Sequence, residues 1–330
     1  MLCPSKYLDF VEEKFLQCYS QKGYIIEEAV DITSQIDPTI DFIGSKISPL
    51  KKYILSDNIP APGYALIQNC IKLKSLKTIQ TDQPFRFGGY YKGMGTLAFP
   101  DIRKSAEDLF EYLTSPKYLA ICPQDICIRI CSKDLDLMDS LVNINSEIKR
   151  EIDTRDMCHY RHKYGMESNN ITGRDFNVGI RHNGSNEYIN CATLVVIERG
   201  SHPIGIDVGI GNLSLCMCKF GKSSTIAASR MSDIIPINSV ETEKFADALI
   251  VVATLLKENI LIHPSNHFRK KYRQYLNAAI YWNNLLGFTA SELTDLIIAY
   301  LRLEYKIDYS SNYQTWKESV QSHLNRKRTQ

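Results

Sequence analysis

The hydrophobic pattern of the chain changes once, near residue 236, and this change limits the folds that the chain can adopt. Before that position, short strand-like apolar runs are interrupted by glycine and proline, and helical spacing occurs only in a few segments. From Ser239 onward, apolar residues recur at helical spacing. The pattern predicts an α+β part with a mostly antiparallel sheet flanked by helices over residues 1–236, followed by an all-helical domain over residues 237–330.

The boundaries of the segments follow from local signals. Thr289 and Glu292 form a capping box that marks the start of a helix in the second part. Gly23 ends the first helical run, and the Gly88-Gly89 pair marks a bend between strand-like segments. The predicted helices cover residues 5–20, 103–115, 239–259, 266–287 and 289–306, and the predicted strands cover residues 24–30, 64–73, 85–99, 118–130, 173–183, 187–198 and 204–210.

Composition narrows the class of protein. A chain of 330 residues can bury a substantial core, and two domains are expected. The net charge of +2 is small for a protein whose main partner is a polyanion such as nucleic acid. No apolar run is long enough to span a membrane, and the first residues lack the pattern of a secretion signal. The sequence therefore predicts a cytoplasmic protein without membrane contact.

The ten cysteines are interpreted as reduced thiols, and no metal site is predicted. Cys158, His159 and His162 lie close together, but a zinc ion would need a further ligand from elsewhere, so a charged surface loop is favoured. Two other groups lack the paired spacing of a structural zinc site and are predicted to be buried thiols: Cys122, Cys127 and Cys131, and Cys216 with Cys218.

The sequence contains no Walker loop, no Gly-x-Gly-x-x-Gly motif after a first strand and no Gly-x-Ser-x-Gly motif. The stretch GIDVGIGNLSLCMCKFG (205–221) places Asp207 before Gly209 and Gly211 and then enters an apolar run. Taken alone, this pattern favours an aspartate at the end of a strand and a glycine bulge. The alternative is a ligand site in which the glycines let the backbone approach the ligand closely.

Six short segments, taken in their order along the chain, resemble the catalytic part and helical domain of the alanyl-tRNA synthetases, which are class II aminoacyl-tRNA synthetases. They are DPTIDFIGSKISPLKKYIL (37–55), with Asp37, Pro38, Thr39, Phe42, Lys51 and Leu55 in the first motif region; IQNCIK (67–72), similar to Gln-x-Cys-Ile-Arg; YYKGMGTLAF (90–99), similar to the Phe-Phe-Glu-Met-Leu-Gly strand; EYINCATLVV (187–196), which keeps Glu187 and Asn190; Asp207 to Gly211, at the third motif; and HPSNHFRKKYRQYLNAAIYWNNLLG (263–287), in the helical tRNA-recognition domain.

The resemblance implies a class II synthetase-like sheet and a site for a small α-amino acid. In the family, the third-motif aspartate binds the α-ammonium of the substrate, and Asp207 matches it, since an ammonium in a closed pocket needs a charged partner. Asn190 matches an asparagine that contacts the amino acid, while Gly209 and Gly211 would let the backbone lie close to it. Asp207→Asn is then expected to abolish amino-acid binding and to leave stability nearly unchanged.

The resemblance also implies ATP, with Mg²⁺, as cofactor, but the residues for it are less well kept. Lys72 stands where the family has the arginine that holds the α-phosphate, and Arg86 is the alternative contact; these two are the predicted catalytic residues. Tyr91 and Met94, on the adjoining strand, are predicted to contact the nucleotide as well. Two departures stand against this site: the third-motif arginine is missing near Ser214, and the family's glutamate is replaced by Lys92.

The resemblance to the tRNA-recognition domain is partial. Residues 269–273 keep four basic side chains, but residues 274–287 contain no charged side chain. We therefore expect weak, salt-dependent tRNA binding that rests on few phosphate contacts. The basic stretch 323–330 is interpreted as a frayed tail rather than as a binding arm.

Three functions follow from these expectations. The first is an ATP-dependent ligase that forms an aminoacyl adenylate from a small α-amino acid, such as alanine, and passes the acyl group to a small molecule or a carrier protein. The second is a synthetase or transferase that acts with tRNA. The third is a non-catalytic paralogue that binds an amino acid or a partner. The sequence favours them in that order, and a homodimer is considered for each.

Overall fold

The computed structural model describes residues 3–38 and 40–328, so Thr39 of the first motif region lies outside the described residues. The helices are α1 (Pro4–Gln21), α2 (Lys51–Leu55), α3 (Ile102–Thr114), α4 (Leu135–Ser140), α5 (Asn212–Phe220), α6 (Val240–Lys257), α7 (Asn266–Leu286), α8 (Ala290–Tyr305) and α9 (Tyr313–Arg328). The strands are β1 (Ile25–Ile26), β2 (Gly63–Ile71), β3 (Tyr90–Ala98), β4 (Ile126–Ile130), β5 (Lys149–Ile152), β6 (Arg161–Lys163), β7 (Ile171–Arg181), β8 (Tyr188–Arg199) and β9 (His202–Gly211).

The strands form one sheet in the order β1-β2-β3-β9-β8-β7-β4-β5, and β6 pairs with β7. The β1–β2 and β4–β5 pairs are parallel, and the remaining pairs are antiparallel. The predicted α+β fold with a mostly antiparallel sheet and a helical C-terminal part is therefore confirmed. Among the described residues, no helix has the length and apolar character that a membrane span requires.

The two faces of the sheet differ in chemistry, because successive side chains of a strand point to opposite sides. One face, which we call the core face, is apolar and packs against α1, α3 and α5. The opposite face, which we call the cleft face, is polar at its centre. Two rows of cross-strand neighbours define it: Leu97, Asp207, Val195 and Asp175, and Gly95, Gly209, Thr193, Asn177 and Arg129.

One end of the cleft face is covered by a small apolar cluster. Ile47, Leu50 and Ile54, from the segment that ends in α2, pack with Leu97 and Tyr164. Asp207 lies beside this cluster, since its cross-strand neighbours Leu97 and Val195 both belong to it. The cover therefore shields one side of the carboxylate from water.

The C-terminal helices share one core with loops of the first part. Ile32, Phe42 and Ile71 pack in the same cluster as residues of α6, α7, α8 and α9. The boundary at residue 236 thus stays a prediction. The predicted cap of α8 is confirmed, because the Glu292 backbone N–H donates to Thr289 Oγ1 (3.3 Å) and the Thr289 N–H donates to Glu292 Oε2 (2.7 Å).

The basic C-terminal stretch differs from its prediction. Residues 323–328 continue α9 rather than fraying, and Leu324 packs against the other C-terminal helices. The anchoring side chains Trp316, Val320 and Leu324 recur at helical spacing, which explains why the helix extends this far. Residues 329 and 330 of the predicted tail lie outside the described residues.

A buried charge cluster joins the two parts of the chain. Lys92 Nζ lies 2.8 Å from both Glu12 Oε2 of α1 and Glu304 Oε1 of α8. Arg230 Nε lies 3.1 Å from Glu304 Oε2, and its NH2 group lies 2.9 Å from Asp9 Oδ1. Lys92 thus links α1 and α8 through their carboxylates.

Asp247 of α6 holds the bend at residues 88–89. It is almost completely buried, and its Oδ1 accepts a hydrogen bond of 2.6 Å from the Gly89 N–H. Burial raises the pKa of Asp247 to about 7, against the opposing effects of the Gly89 hydrogen bond and the Lys244 charge. The folded state therefore favours the protonated acid, although this carboxyl is ordinarily ionised at neutral pH.

This burial predicts a pH-dependent stability. Because the folded pKa of Asp247 lies above the unfolded value, its contribution is fully present below pH 3.8 and is lost as the pH rises through about 7. Asp247→Asn keeps an acceptor for the Gly89 N–H without the charge. We expect it to be more stable than wild type at pH 8 by roughly 4 kcal/mol and to show little difference near pH 4 in urea unfolding. Asp247→Ala, which removes the acceptor, should be destabilised at both pH values; equal pH profiles for Asp247→Asn and wild type would contradict the prediction.

Candidate functional site

The centre of the cleft face is an ion pair between Asp207 of β9 and Lys46, which precedes α2. Lys46 Nζ contacts Asp207 Oδ1 directly and also donates a 2.6 Å hydrogen bond to the Thr96 carbonyl. The Tyr164 hydroxyl donates to the other carboxylate oxygen, Oδ2, at 3.2 Å. Both oxygens of Asp207 are therefore bonded within the chain.

This ion pair is buried. Lys46 is 4% exposed and Asp207 is 8% exposed. Burial lowers the pKa of the Lys46 ammonium, and the charge and hydrogen bond of Asp207 oppose that shift. Burial also raises the pKa of the Tyr164 hydroxyl well above its usual value, and the neighbouring Asp207 adds to the effect. The carboxylate is thus the counter-ion that makes a charged Lys46 tolerable at this depth.

The side-chain stem of Lys46 lies across glycines of β3 and β9. A Cβ atom placed on Gly95 would lie 2.5 Å from Lys46 Cε and 1.9 Å from the Val208 carbonyl oxygen, so a side chain is excluded there. A Cβ on Gly93 would lie 3.3 Å from Lys46 Cβ. At Gly209, in contrast, Lys46 Cε at 3.8 Å would be the nearest described atom. The glycine that leaves room for a close neighbour is Gly95, and that neighbour is Lys46.

Gly209 and Gly211 lie in regular strand rather than in a bulge. Gly209 pairs with Gly95 and Thr193, and Gly211 pairs with Gly93. The register shifts of β7–β8 and β8–β9 lie elsewhere, at 178–179 and 197–198. The bulge interpretation of the sequence was therefore wrong. The role of both glycines in amino-acid binding stays a prediction.

A histidine–aspartate pair lies next to the ion pair. His162 Nε2 of β6 contacts Asp175 Oδ2 of β7, and Asp175 is 1% exposed. Burial acts to lower the pKa of His162, and the charge of Lys72 acts in the same direction. The hydrogen bond and charge of Asp175, together with the charge of Asp207, outweigh both effects, so the pKa of His162 is raised. His162 thus carries a positive charge more readily than an isolated histidine does.

A chain of polar contacts continues from Asp175 across the sheet. Asn177 Nδ2 donates to Asp175 Oδ1 at 3.1 Å, and Asn177 Oδ1 accepts from Thr193 Oγ1 at 3.2 Å. Asn190 is exposed at the far end, where its Oδ1 accepts a 2.7 Å hydrogen bond from Arg129. Asn190 and Asp207 thus lie on the same face, with Asn177 and Thr193 between them, and the contact of Asn190 with an amino acid stays a prediction.

The residues predicted to contact phosphate, Lys72 and Arg86, form no described hydrogen bond or ion pair with Lys46 or Asp207. Lys72 is exposed, at the end of β2, with Nζ 5.6 Å from the centre of the Tyr91 ring. The Tyr91 hydroxyl donates to the Gly44 carbonyl at 3.0 Å. Arg86 forms a two-point salt bridge with Glu187, with N–O distances of 2.5 and 3.0 Å. The fork of Arg86 is thus bonded to a carboxylate of the chain.

The position of Met94 does not fit its predicted contact with a nucleotide. Met94 is fully buried on the core face, where it packs with Ile210 and Ala192. The reason is strand alternation: Tyr91, Gly93 and Gly95 point to the cleft, so Met94 points to the other side. A prediction based on neighbouring positions in a strand has to respect this alternation.

Comparison with known proteins identifies the family that the chain resembles. No family model matches the chain. Alanine–tRNA ligase of Listeria innocua is 28% identical over 127 residues, which are 38% of this chain and 14% of the ligase. The ligase of Acholeplasma laidlawii is 32% identical over 116 residues, which are 34% of this chain and 13% of that protein. The ligase of Natranaerobius thermophilus is 22% identical over 130 residues, which are 39% of this chain and 15% of that protein. The chain is alanyl-tRNA synthetase-like.

The shared region is a small part of each relative, about one seventh of the Listeria ligase. Among solved structures, apo histidyl-tRNA synthetase of S. aureus superposes with a TM-score of 0.39 and 10% identity over 64% of this chain and 65% of that chain. The antiparallel sheet flanked by helices is the architecture that the class II resemblance implies. The similarity of this synthetase-like chain to the ligases in sequence is confined to these 116–130 residues.

The cleft of the synthetase-like chain fits ATP poorly. A triphosphate is best held by guanidinium forks that are free to bind it. Among the described cleft residues, Arg86 is bonded to Glu187, and Arg129 is bonded to Glu151, Asn190 and the Tyr188 carbonyl. Lys72 offers a single ammonium. In the described part of the chain, no group of three or more His, Cys, Asp or Glu side chains is arranged to hold a metal ion.

The cysteine predictions are mostly confirmed. Cys127, Cys131, Cys216 and Cys218 are buried, but Cys122 is exposed, because it precedes β4 in a surface turn. Cys158 and His159 are exposed, as expected for a surface loop, while His162 has the separate role described above.

Sequence reasoning missed the residues that bond to Asp207. Lys46 lies in the quoted first motif region, in the run FIGSKISPL, where it is the only charged residue. A lysine inside an apolar run needs a buried counter-ion, and this signal could have identified it. Tyr164 and Asp175 carry no comparable signal, because their neighbours belong to distant segments.

Proposed function

We propose that this chain is a non-activating alanyl-tRNA synthetase-like protein, which keeps the class II core as a binding scaffold and does not form aminoacyl adenylates. The observation that carries the proposal is the buried bond between Lys46 and Asp207. Activation of an α-amino acid at this site would require the substrate ammonium at the same carboxylate. An incoming amino acid would have to displace Lys46 and leave a buried ammonium without its counter-ion, which is costly.

The phosphate side of the cleft supports the same proposal. Arg86 is bonded to Glu187, and α5 has no basic residue before Lys219. Adenylate formation depends on charge stabilisation at the reacting phosphate, which a lone exposed Lys72 supplies weakly. This moves the third function ahead of the ligase and of the tRNA-dependent enzyme.

Amino-acid-dependent exchange of pyrophosphate into ATP tests the proposal. The wild-type chain should give no exchange above background with any of the standard amino acids, with or without tRNA, because Lys46 occupies the ammonium site and the phosphate side offers only weak charge stabilisation. The alanine–tRNA ligase of Listeria innocua serves as the active control. Exchange without tRNA would overturn the proposal in favour of the ligase, and exchange only with tRNA would favour the tRNA-dependent enzyme. Loss of that exchange in Lys72→Ala would then assign the phosphate contact to Lys72.

A further inference from the structure

We propose that Lys46 is the resident ligand of an ammonium site: a tethered primary ammonium that occupies the place at Asp207 where a free ligand would bind. The inference rests on the proposed function, because it concerns the same carboxylate, and it adds the class of ligand that the site accepts. That class is a small unbranched primary ammonium ion.

The polar end of the site is built for an ammonium group. Lys46 Nζ has an anionic acceptor, Asp207 Oδ1, and a neutral one, the Thr96 carbonyl at 2.6 Å. The Tyr164 hydroxyl binds the second carboxylate oxygen at 3.2 Å and so holds the carboxylate in place. An ammonium with N–H donors satisfies these acceptors, whereas a quaternary ammonium has no donor to offer.

The apolar end of the site follows the Lys46 stem. The stem passes over Gly93 and Gly95, and even a methyl group on Gly95 would collide with Lys46 Cε at 2.5 Å. The glycine floor therefore leaves a slot that the methylenes of one lysine fill. Removal of the side chain leaves a narrow slot with an ammonium site at its end. The length of the slot is set by the number of methylenes removed.

This geometry predicts which amine fits each variant. Lys46→Ala removes three methylenes and the ammonium, which together correspond to n-propylammonium. Lys46→Gly removes one more methylene, which gives n-butylammonium. The preferred chain length should therefore increase by one carbon between the two variants. If the space closes or fills with water when the side chain is removed, the two variants should show no such difference in length.

Thermal unfolding with added amines tests this inference. Both variants should melt below wild type, and the matched amine should raise the melting temperature by about 2–4 °C at ten times its dissociation constant. Wild type should not respond, because Lys46 fills the site. Lys51→Ala is the matched control, since Lys51 is also buried and lies 2.8 Å from Asp37 Oδ2. Its response to the same amines measures what the loss of a buried lysine gives on its own, and a length preference as strong as that of Lys46→Ala would count against the inference.

Several outcomes would overturn the inference. These are equal stabilisation by n-propanol or tetramethylammonium, an equal response of wild type, or the same preferred length for both variants. If Lys46→Ala does not fold alone, its yield of soluble protein on refolding from urea with and without n-propylammonium gives the same test, and no gain in yield counts against the inference. Exchange activity in wild type, with the amines still stabilising the Lys46 variants, would overturn the proposed function alone. If wild type gives no exchange and the amines do not stabilise the variants, the resident-ligand inference alone is overturned.

Discussion

Glu304→Ala is expected to lower the free energy of unfolding by about 3 kcal/mol, because Lys92 and Arg230 stay buried and lose a carboxylate that they share, while Glu12 and Asp9 remain beside them. Glu304 is 7% exposed and bonds to Lys92 at 2.8 Å and to Arg230 at 3.1 Å. Burial acts to raise the pKa of Glu304, but Lys92 and Arg230 outweigh it and lower the pKa, so the carboxylate is ionised at neutral pH. Urea unfolding at pH 7 measures the effect.

The control for this prediction is Glu318→Ala in α9, where the glutamate is exposed and bonds to Gln314 of its own helix. That change should alter stability by less than about 0.5 kcal/mol. A similar small effect for Glu304→Ala would mean that water or neighbouring acids replace the lost carboxylate, and the junction of α1, β3 and α8 would then not depend on this charge cluster.

Much of the fold was predictable because it depends on local patterns. The strands β7, β8 and β9 are apolar on one face and polar on the other, and the capping box of α8 is formed by residues three positions apart. The helix α9 lies in the part predicted to be helical, but its bounds were not predicted, because its apolar residues Trp316, Val320 and Leu324 are spaced among many polar ones. Its stability comes from packing on α7 and α8, which a single segment does not reveal.

The candidate site was less predictable, because its key contacts join distant segments. The resemblance named Asp207 and Asn190 as contacts of one ligand, but it said nothing of the partner of Asp207. Lys46 and Asp207 are 161 residues apart, and Arg86 and Glu187 are 101 residues apart. Such pairs depend on how the sheet brings distant segments together. A motif can therefore identify a carboxylate without showing whether a cation of the same chain already pairs with it.

Asp207→Asn should lower the free energy of unfolding by about 3–5 kcal/mol at pH 7, because the change leaves Lys46 buried without its counter-ion. The sequence predicted almost no loss of stability for a carboxylate held for a ligand, so this variant separates the two interpretations. Without Asp207, the desolvation that lowers the pKa of Lys46 loses its main opposing effects, and the smaller effect of Cys70 is left against it. The unfolded chain then binds a proton that the folded one lacks, so the stability of Asp207→Asn should rise with pH above 7, as urea unfolding can show.

A double-mutant cycle with Lys46→Met completes this test, because methionine keeps most of the lysine stem without its charge. Lys46→Met alone leaves Asp207 buried and unpaired, and it should be as costly as Asp207→Asn. The double variant removes both charges and should be more stable than either single variant, since the replacement of a whole buried pair is often close to neutral. Two small and additive effects would show instead that water reaches both groups. Asp207 would then be free for a ligand, as the sequence alone suggested, and the case for a non-activating protein would lose its main support.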